Sequence, residues 1–123
     1  MGRLLGLCSL AALLLVVACA PEPAATDPIA RGRQVYRELG CANCHEASFS
    51  NFFRPVGPPL DHVGQVAAKR VPGMSAEDYL RQSITDPGAY VVPGYPDSMP
   101  RGLARDLSLE DLAALVAYLA SLR

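Results

Sequence analysis

GCANCHEA, Gly40 to Ala47, is the stretch on which the reading of this chain turns. Cys41 and Cys44 stand one helical turn apart, and His45 follows the second thiol directly. Two thiols and an imidazole in this order suit three chemistries: a structural zinc site, a redox dithiol, or covalent attachment of a haem.

Structural zinc takes four protein ligands in a tetrahedron. Beyond the leader the chain offers Cys41, Cys44, His45 and His62, with Cys19 set aside as an expected lipidation site. Adjacent Cys44 and His45 strain to reach one small ion together, and the usual second ligand pair is missing. A thioredoxin-like dithiol belongs in a βαβ setting, whereas the apolar pattern here is helical. A structural disulfide leaves His45 unexplained. Cys-x-x-Cys-His is the attachment signal of a c-type haem. Each thiol adds to one of two vinyl groups on one edge of the porphyrin, and one turn of chain spans that distance. The next residue then lies under the iron. Cys41 and Cys44 are therefore the expected thioethers and His45 the expected proximal ligand of one haem c.

An iron held by one histidine needs a sixth ligand or keeps an open site. Met1 leaves with the leader, and Met74 precedes a helix cap, where a methionine fills gaps. Met99 lies in "DSMP", Asp97 to Pro100, at the end of a Pro/Gly-rich run from Asp86. Pro100 stiffens the chain beside the sulfur, so a loop can aim the thioether where a helix would not. Met99 is the expected second ligand. His62 competes, but a lone histidine is more often a solvent-facing residue. His/Met ligation would raise the potential.

The surrounding chain reads as helices joined by long loops. Asp27 is an N-cap candidate, with Pro28 at the first helical position. Ile29, Gly32, Val35, Tyr36 and Leu39 then share one side, and Gly40 can close the helix. Gly32 inside that helix costs about 1 kcal/mol relative to alanine, either as a tolerated weak spot or because a second helix crosses closely. Glu46 to Pro72 reads as irregular, punctuated by Pro and Gly. Phe49, Phe52 and Phe53 are expected as core or pocket-wall residues. Ser75 opens a helix reaching Thr85, and Asp86 to Pro100 is too rich in Pro and Gly to be helical. Ser108 caps the last helix, with Leu107 and Leu112 as a hydrophobic staple. Leu109, Leu112, Leu115, Val116, Leu119 and Leu122 repeat along it at 3.6-residue spacing. No strand pattern emerges.

The first residues are of another kind. Arg3 precedes "LLGLCSLAALLLVVA", an uncharged apolar run ending in small residues, as in a secretory signal. Leu4 to Ala18 is short of the roughly 20 residues a membrane span needs, although an uncleaved anchor stays open. "VVAC" resembles a bacterial lipobox, which would make 1–18 a lipoprotein signal and Cys19 a lipidated first residue. Cleavage after Ala20 in an A-x-A site is the alternative, with Pro21 just past the scissile bond as its difficulty. Two or more acyl chains anchor stably, where one binds only marginally. Residues 19–27 then form a Pro/Ala-rich tether, its "APEPAATD" reaching about 25 Å at full stretch. The domain proper is 28–123.

The 123 residues carry a net charge of −1. Losing Arg3 makes it about −2, which gives no basic face for nucleic acid. Lys69 is the only lysine.

Together these segments resemble a bacterial class I cytochrome c, over roughly Pro28 to Leu122. "GRQVYRELGCANCH" resembles the family's first helix running into its haem motif. "GPPL", Gly57 to Leu60, is similar to the loop whose proline carbonyl accepts the N–H of the proximal histidine. "YLRQSITDP" is similar to the helix before the methionine loop, "DSMP" to that loop, and "LVAYLASL" to the closing helix. The resemblance implies an all-α cytochrome c fold, with several helices around one covalently attached haem and long Pro/Gly-rich loops. It implies that Gly32 and Tyr36 cross against Leu115 and Tyr118, and that the Pro58 carbonyl fixes the tautomer of His45. The family's lysine-ring docking does not carry over to a chain with one lysine. An apolar partner surface, or one using Arg54, Arg70 and Arg101, takes its place beside the plain reading of solvated arginines.

With both axial positions filled, a substrate has nowhere to bind. The expected function is one-electron transfer, not catalysis: a tethered monohaem carrier on the extracytoplasmic face of a bacterial membrane. Its partners would be a quinol-oxidising complex and a terminal oxidase or reductase, with no nucleic acid and no small-molecule substrate. The alternatives are a fixed subunit of a larger membrane redox complex, or a haem enzyme or sensor with an open axial site. Tyr90 and Tyr95 are candidates for bonds to haem propionates, or for turn and core roles.

Overall fold

The computed structural model describes residues 27–46 and 56–123. The expected leader, Cys19, the expected tether up to residue 26, Phe49, Phe52, Phe53 and Arg54 lie outside the described residues. The elements are α1 (Pro28–Glu38), α2 (Ala42–His45), α3 (Val63–Val66), a 3-10 turn (Ala67–Lys69), α4 (Ala76–Thr85) and α5 (Leu109–Ser121). No strand occurs among the described residues, so the fold is all-α.

Three helices begin where local chemistry says they should. The Asp27 carboxylate accepts from the Ile29 N–H at 3.0 Å, with Pro28 at the first helical position. Ser75 Oγ accepts from the Asp78 N–H at 3.0 Å, and Ser108 Oγ from the Asp111 N–H at 3.0 Å. Each cap satisfies one of the backbone donors that a helix start leaves without a partner.

α1 and α5 pack directly on each other. Gly32 is buried, and a Cβ built there would meet the Ala114 carbonyl oxygen and lie 2.6 Å from Tyr118 Cβ. Two backbones meet here, so glycine is required by space and not by dihedral. The expected crossing against Tyr118 is seen at Gly32, with the Ala114 backbone as its nearest neighbour; Leu115 is 1 % exposed and lies in the core. Tyr36 does meet Tyr118, edge to face at 5.5 Å between centroids. Arg31 Nε donates to Asp111 Oδ1 at 2.6 Å across the same interface.

Leu109 departs from expectation: it is 85 % exposed. It is the first residue of α5, so the 3.6-residue spacing overcounts by one. The irregular reading of 46–72 is corrected too, because α3 and the 3-10 turn lie within it. No side chain caps α3. It is held from outside, by burial of Val63 and Ala67 and by the Gly64 N–H donating to the Leu122 carbonyl at 3.0 Å. α4 completes the core with Tyr79, Leu80 and Ile84.

Candidate functional site: one cavity between α2 and the methionine loop

α1 delivers the cysteine pair through a tight stop. Gly40 follows the helix with φ 67°, a left-handed conformation that suits glycine. Its N–H donates to Arg37 O at 3.0 Å, and the Cys41 N–H reaches back to Tyr36 O at 3.2 Å. This doubly bonded stop is a Schellman motif. It satisfies two end carbonyls and turns the chain straight into α2. The single turn of α2 then places Cys41, Cys44 and His45 at positions i, i+3 and i+4, on one side.

His45 is fixed from behind. Its Nδ1 lies 2.7 Å from the Pro58 carbonyl. A carbonyl only accepts, so Nδ1 carries the proton and the neutral ring keeps its lone pair on Nε2. The contact expected of Pro58 is thus made. The Gly57 N–H donates to Cys44 O at 2.9 Å, tying the same loop to the same turn. The Tyr36 hydroxyl donates to the carboxylate of Glu46 at 3.0 Å. Burial, and the Glu46 carboxylate beside it, push that hydroxyl well above its ordinary pKa.

A cavity of about 190 Å³ opens in front of this turn. It is walled by Leu80 and Ile84 from α4, Leu115 and Leu119 from α5, and Leu60 and Tyr90 from the loops. One water needs about 10–15 Å³ by this measure. Cys41, Cys44, His45, Pro58 and Met99 all line the cavity. A flat apolar group, held by two thioethers and one imidazole nitrogen, fits those walls and that donor set.

The rival chemistries fit less well. No disulfide joins Cys41 to Cys44. Burial pushes the Cys41 thiol up from its ordinary value, opposite to the lowered pKa of a reactive redox cysteine. Among the described residues no three His, Cys, Asp or Glu side chains are placed to hold one metal ion. His62 is exposed beside Asp61, with Nε2 3.4 Å from its carboxylate, and does not line the cavity. Met74 packs against the core, as a gap-filler would.

Tyr90 and Tyr95 both line the cavity, and Tyr90 also meets Tyr79 edge to face at 5.9 Å. Arg70 lines it too. Sequence reasoning had weighed Arg70 only as a surface cation. Its position after the 3-10 turn, which turns it inward, has no local signal. Arg101 is engaged: its Nη2 donates to Asp97 Oδ2 at 2.8 Å.

Comparison with known proteins agrees with this geometry. The family model described as Cytochrome c matches residues 29–123. The chain is 31 % identical over 97 residues to cytochrome c oxidase subunit 2 of Alkalihalophilus pseudofirmus, an alignment covering 76 % of this chain and 25 % of that protein. The chain thus spans about a quarter of that relative's length. With the cysteine pair in the CxxCH position and a cavity behind it, the chain belongs to the cytochrome c family and is an electron-transfer protein carrying covalently bound haem c.

Proposed function

We propose that this protein is an extracytoplasmic, membrane-tethered monohaem electron carrier of a respiratory chain, with His45 and Met99 as the axial ligands of its iron. Bound haem c supplies a one-electron Fe(II)/Fe(III) couple. The polypeptide does the rest. Cys41 and Cys44 anchor the ring covalently, and His45 offers Nε2. Pro58 holds the imidazole in that tautomer and raises its basicity. The apolar walls from α4 and α5 exclude water, which disfavours additional charge in the pocket. Met99 would hold the remaining position on the iron and leave no place for a substrate, and on this ground we read the protein as a carrier. Arg70 and Tyr95 are the polar side chains we assign to acidic groups at the ring edge.

The observation that carries this reading is the 2.7 Å contact of His45 Nδ1 with the Pro58 carbonyl, in a cavity that Met99 also lines. Lipidation of Cys19 and the Ala20–Asp27 tether would keep the domain within reach of membrane partners. A quinol-oxidising complex would supply the electron, and a terminal oxidase or reductase would take it.

A second reading has a specific observation behind it. The similarity to a cytochrome c oxidase subunit favours a fixed electron-entry subunit of such a complex. Native sizing after mild detergent extraction separates the two. The carrier runs alone, whereas a subunit co-purifies with other chains in fixed ratio.

Carbon monoxide tests the ligation. The ferrous wild type should bind it poorly at neutral pH, and Met99→Ala should bind it readily with a lowered potential. Ready binding by the wild type would mean an open iron, and with it the enzyme or sensor reading. Mass spectrometry of the membrane-extracted protein reports haem attachment, cleavage site and acylation in one measurement.

A further inference from the structure

Two consecutive residues of the loop after residue 55 fasten to two consecutive residues of α2. The Gly57 N–H donates to Cys44 O at 2.9 Å, and the Pro58 carbonyl accepts from His45 Nδ1 at 2.7 Å. This double attachment draws the Gly57 Cα against the imidazole. A methyl group built on Gly57 would lie 2.6 Å from His45 Cε1, 2.7 Å from Nδ1 and 3.2 Å from Nε2. Carbon atoms in ordinary contact sit about 3.5–4.0 Å apart. Gly57 is not among the glycines with positive φ, so its backbone conformation is open to any residue. What excludes a side chain is the ring.

The three crowded atoms form the edge of the imidazole that carries both nitrogens. One of those nitrogens is bonded to Pro58. The other is the one left free for a metal. A ring tethered at Nδ1, and held at Nε2 once haem is bound, could not swing aside to admit a methyl group. The loop would have to retreat instead, taking the Pro58 carbonyl with it.

We infer that Gly57 is a positioning residue for the proximal imidazole: its missing side chain lets the Pro58 carbonyl reach His45 Nδ1 and so sets the basicity of Nε2. The inference rests on the reading of His45 as a haem ligand. A shorter Nδ1–H···O=C bond makes the imidazole a stronger donor and favours Fe(III). Lengthening it favours Fe(II).

The test compares haem-loaded wild type, Gly57→Ala, and Gln65→Ala as a control at an exposed position of α3. Potentiometric titration should show Gly57→Ala with an Fe(II)/Fe(III) ratio raised about two- to fivefold at a given ambient potential, and Gln65→Ala unchanged. In the reduced proteins, the His45 Nδ1 proton should exchange with solvent faster in Gly57→Ala than in wild type. An unaltered potential together with unaltered exchange overturns the inference. Should Gly57→Ala fail to accumulate with haem, the reduced wild type still decides. It must show a nuclear Overhauser contact between the Gly57 α-protons and the His45 Cε1 proton, and absence of that contact overturns the inference. Failure of the underlying reading looks different. His45 ring protons in wild type lacking the large upfield shift of an axial ligand would remove the ligation itself, before any variant is compared.

Discussion

The Tyr36 hydroxyl donates to the Glu46 carboxylate at 3.0 Å, so α1 grips the residue that follows His45. The turn carrying Cys41 and Cys44 is thus held at both ends by one helix: through the Gly40 stop at its start and through Tyr36 at its finish. Tyr36→Phe removes the second hold and keeps the edge-to-face packing on Tyr118. Glu46 is exposed and water can replace its lost donor, so the cost should be about 1 kcal/mol. Urea unfolding of the holoprotein would read it as a lowered midpoint at unchanged slope. Haem attachment should be unaffected, because neither thiol moves.

The α1–α5 crossing offers a larger effect. Alanine at position 32 would gain about 1 kcal/mol of helix propensity. Against this, its methyl group would run into the Ala114 carbonyl and Tyr118 Cβ. Neither neighbour is the free end of a flexible side chain, so the helices must separate. Overpacking of this kind costs about 1–3 kcal/mol, occasionally more. Gly32→Ala should lose up to about 2 kcal/mol net, measured by thermal or urea unfolding. A variant as stable as wild type would show that the crossing is looser than the backbone contact indicates.

Much of this architecture is legible locally. Asp27, Ser75 and Ser108 announce their helices because a cap is a bond between residues two or three apart. The Cys41, Cys44 and His45 turn is legible because its chemistry is written in its spacing. The Pro58 contact came only through family resemblance, since nothing between Glu46 and Pro58 signals which carbonyl will reach the ring. α3 was missed because its support is distant: the Leu122 carbonyl bonds the Gly64 N–H from the far end of the chain. Gly57 and Arg70 were missed for the same reason. Their roles are relations across space to His45 and to the cavity, and no local pattern encodes either.

Arg101 bears on how the methionine loop is held. Its guanidinium reaches Asp97 on the other side of Met99 and lies against Gly88 at the start of the loop. The Asp97 hydrogen bond holds the guanidinium's pKa above its ordinary value. Arg101→Ala should loosen the loop and raise the carbon monoxide binding rate of the ferrous protein, by less than about fivefold, because exposed ion pairs contribute little. An increase as large as that of Met99→Ala would make Arg101 the main support of the loop. Addition of salt should mimic the substitution in the wild type and have less effect on the variant.

Asp111 gives a pH dependence whose sign is fixed by its partners. The Arg31 guanidinium, donating at 2.6 Å, holds the carboxyl below the ordinary carboxylate range, and the Ser108 hydroxyl adds to this. A lowered folded pKa means that the unfolded chain takes up the proton first. The stabilisation is therefore fully present above the unfolded carboxylate value of about 4. It is lost as pH falls through the lower folded value. Asp111→Asn removes the charge while keeping the size. It should be less stable than wild type at pH 7 by an amount that shrinks steadily below about pH 4. Parallel urea titrations of the two proteins from pH 7 down to pH 3 measure the difference directly. A gap that stays constant through that range would mean that the Arg31 bond does not depend on the carboxylate charge, and that Asp111 acts in the α1–α5 interface by packing alone.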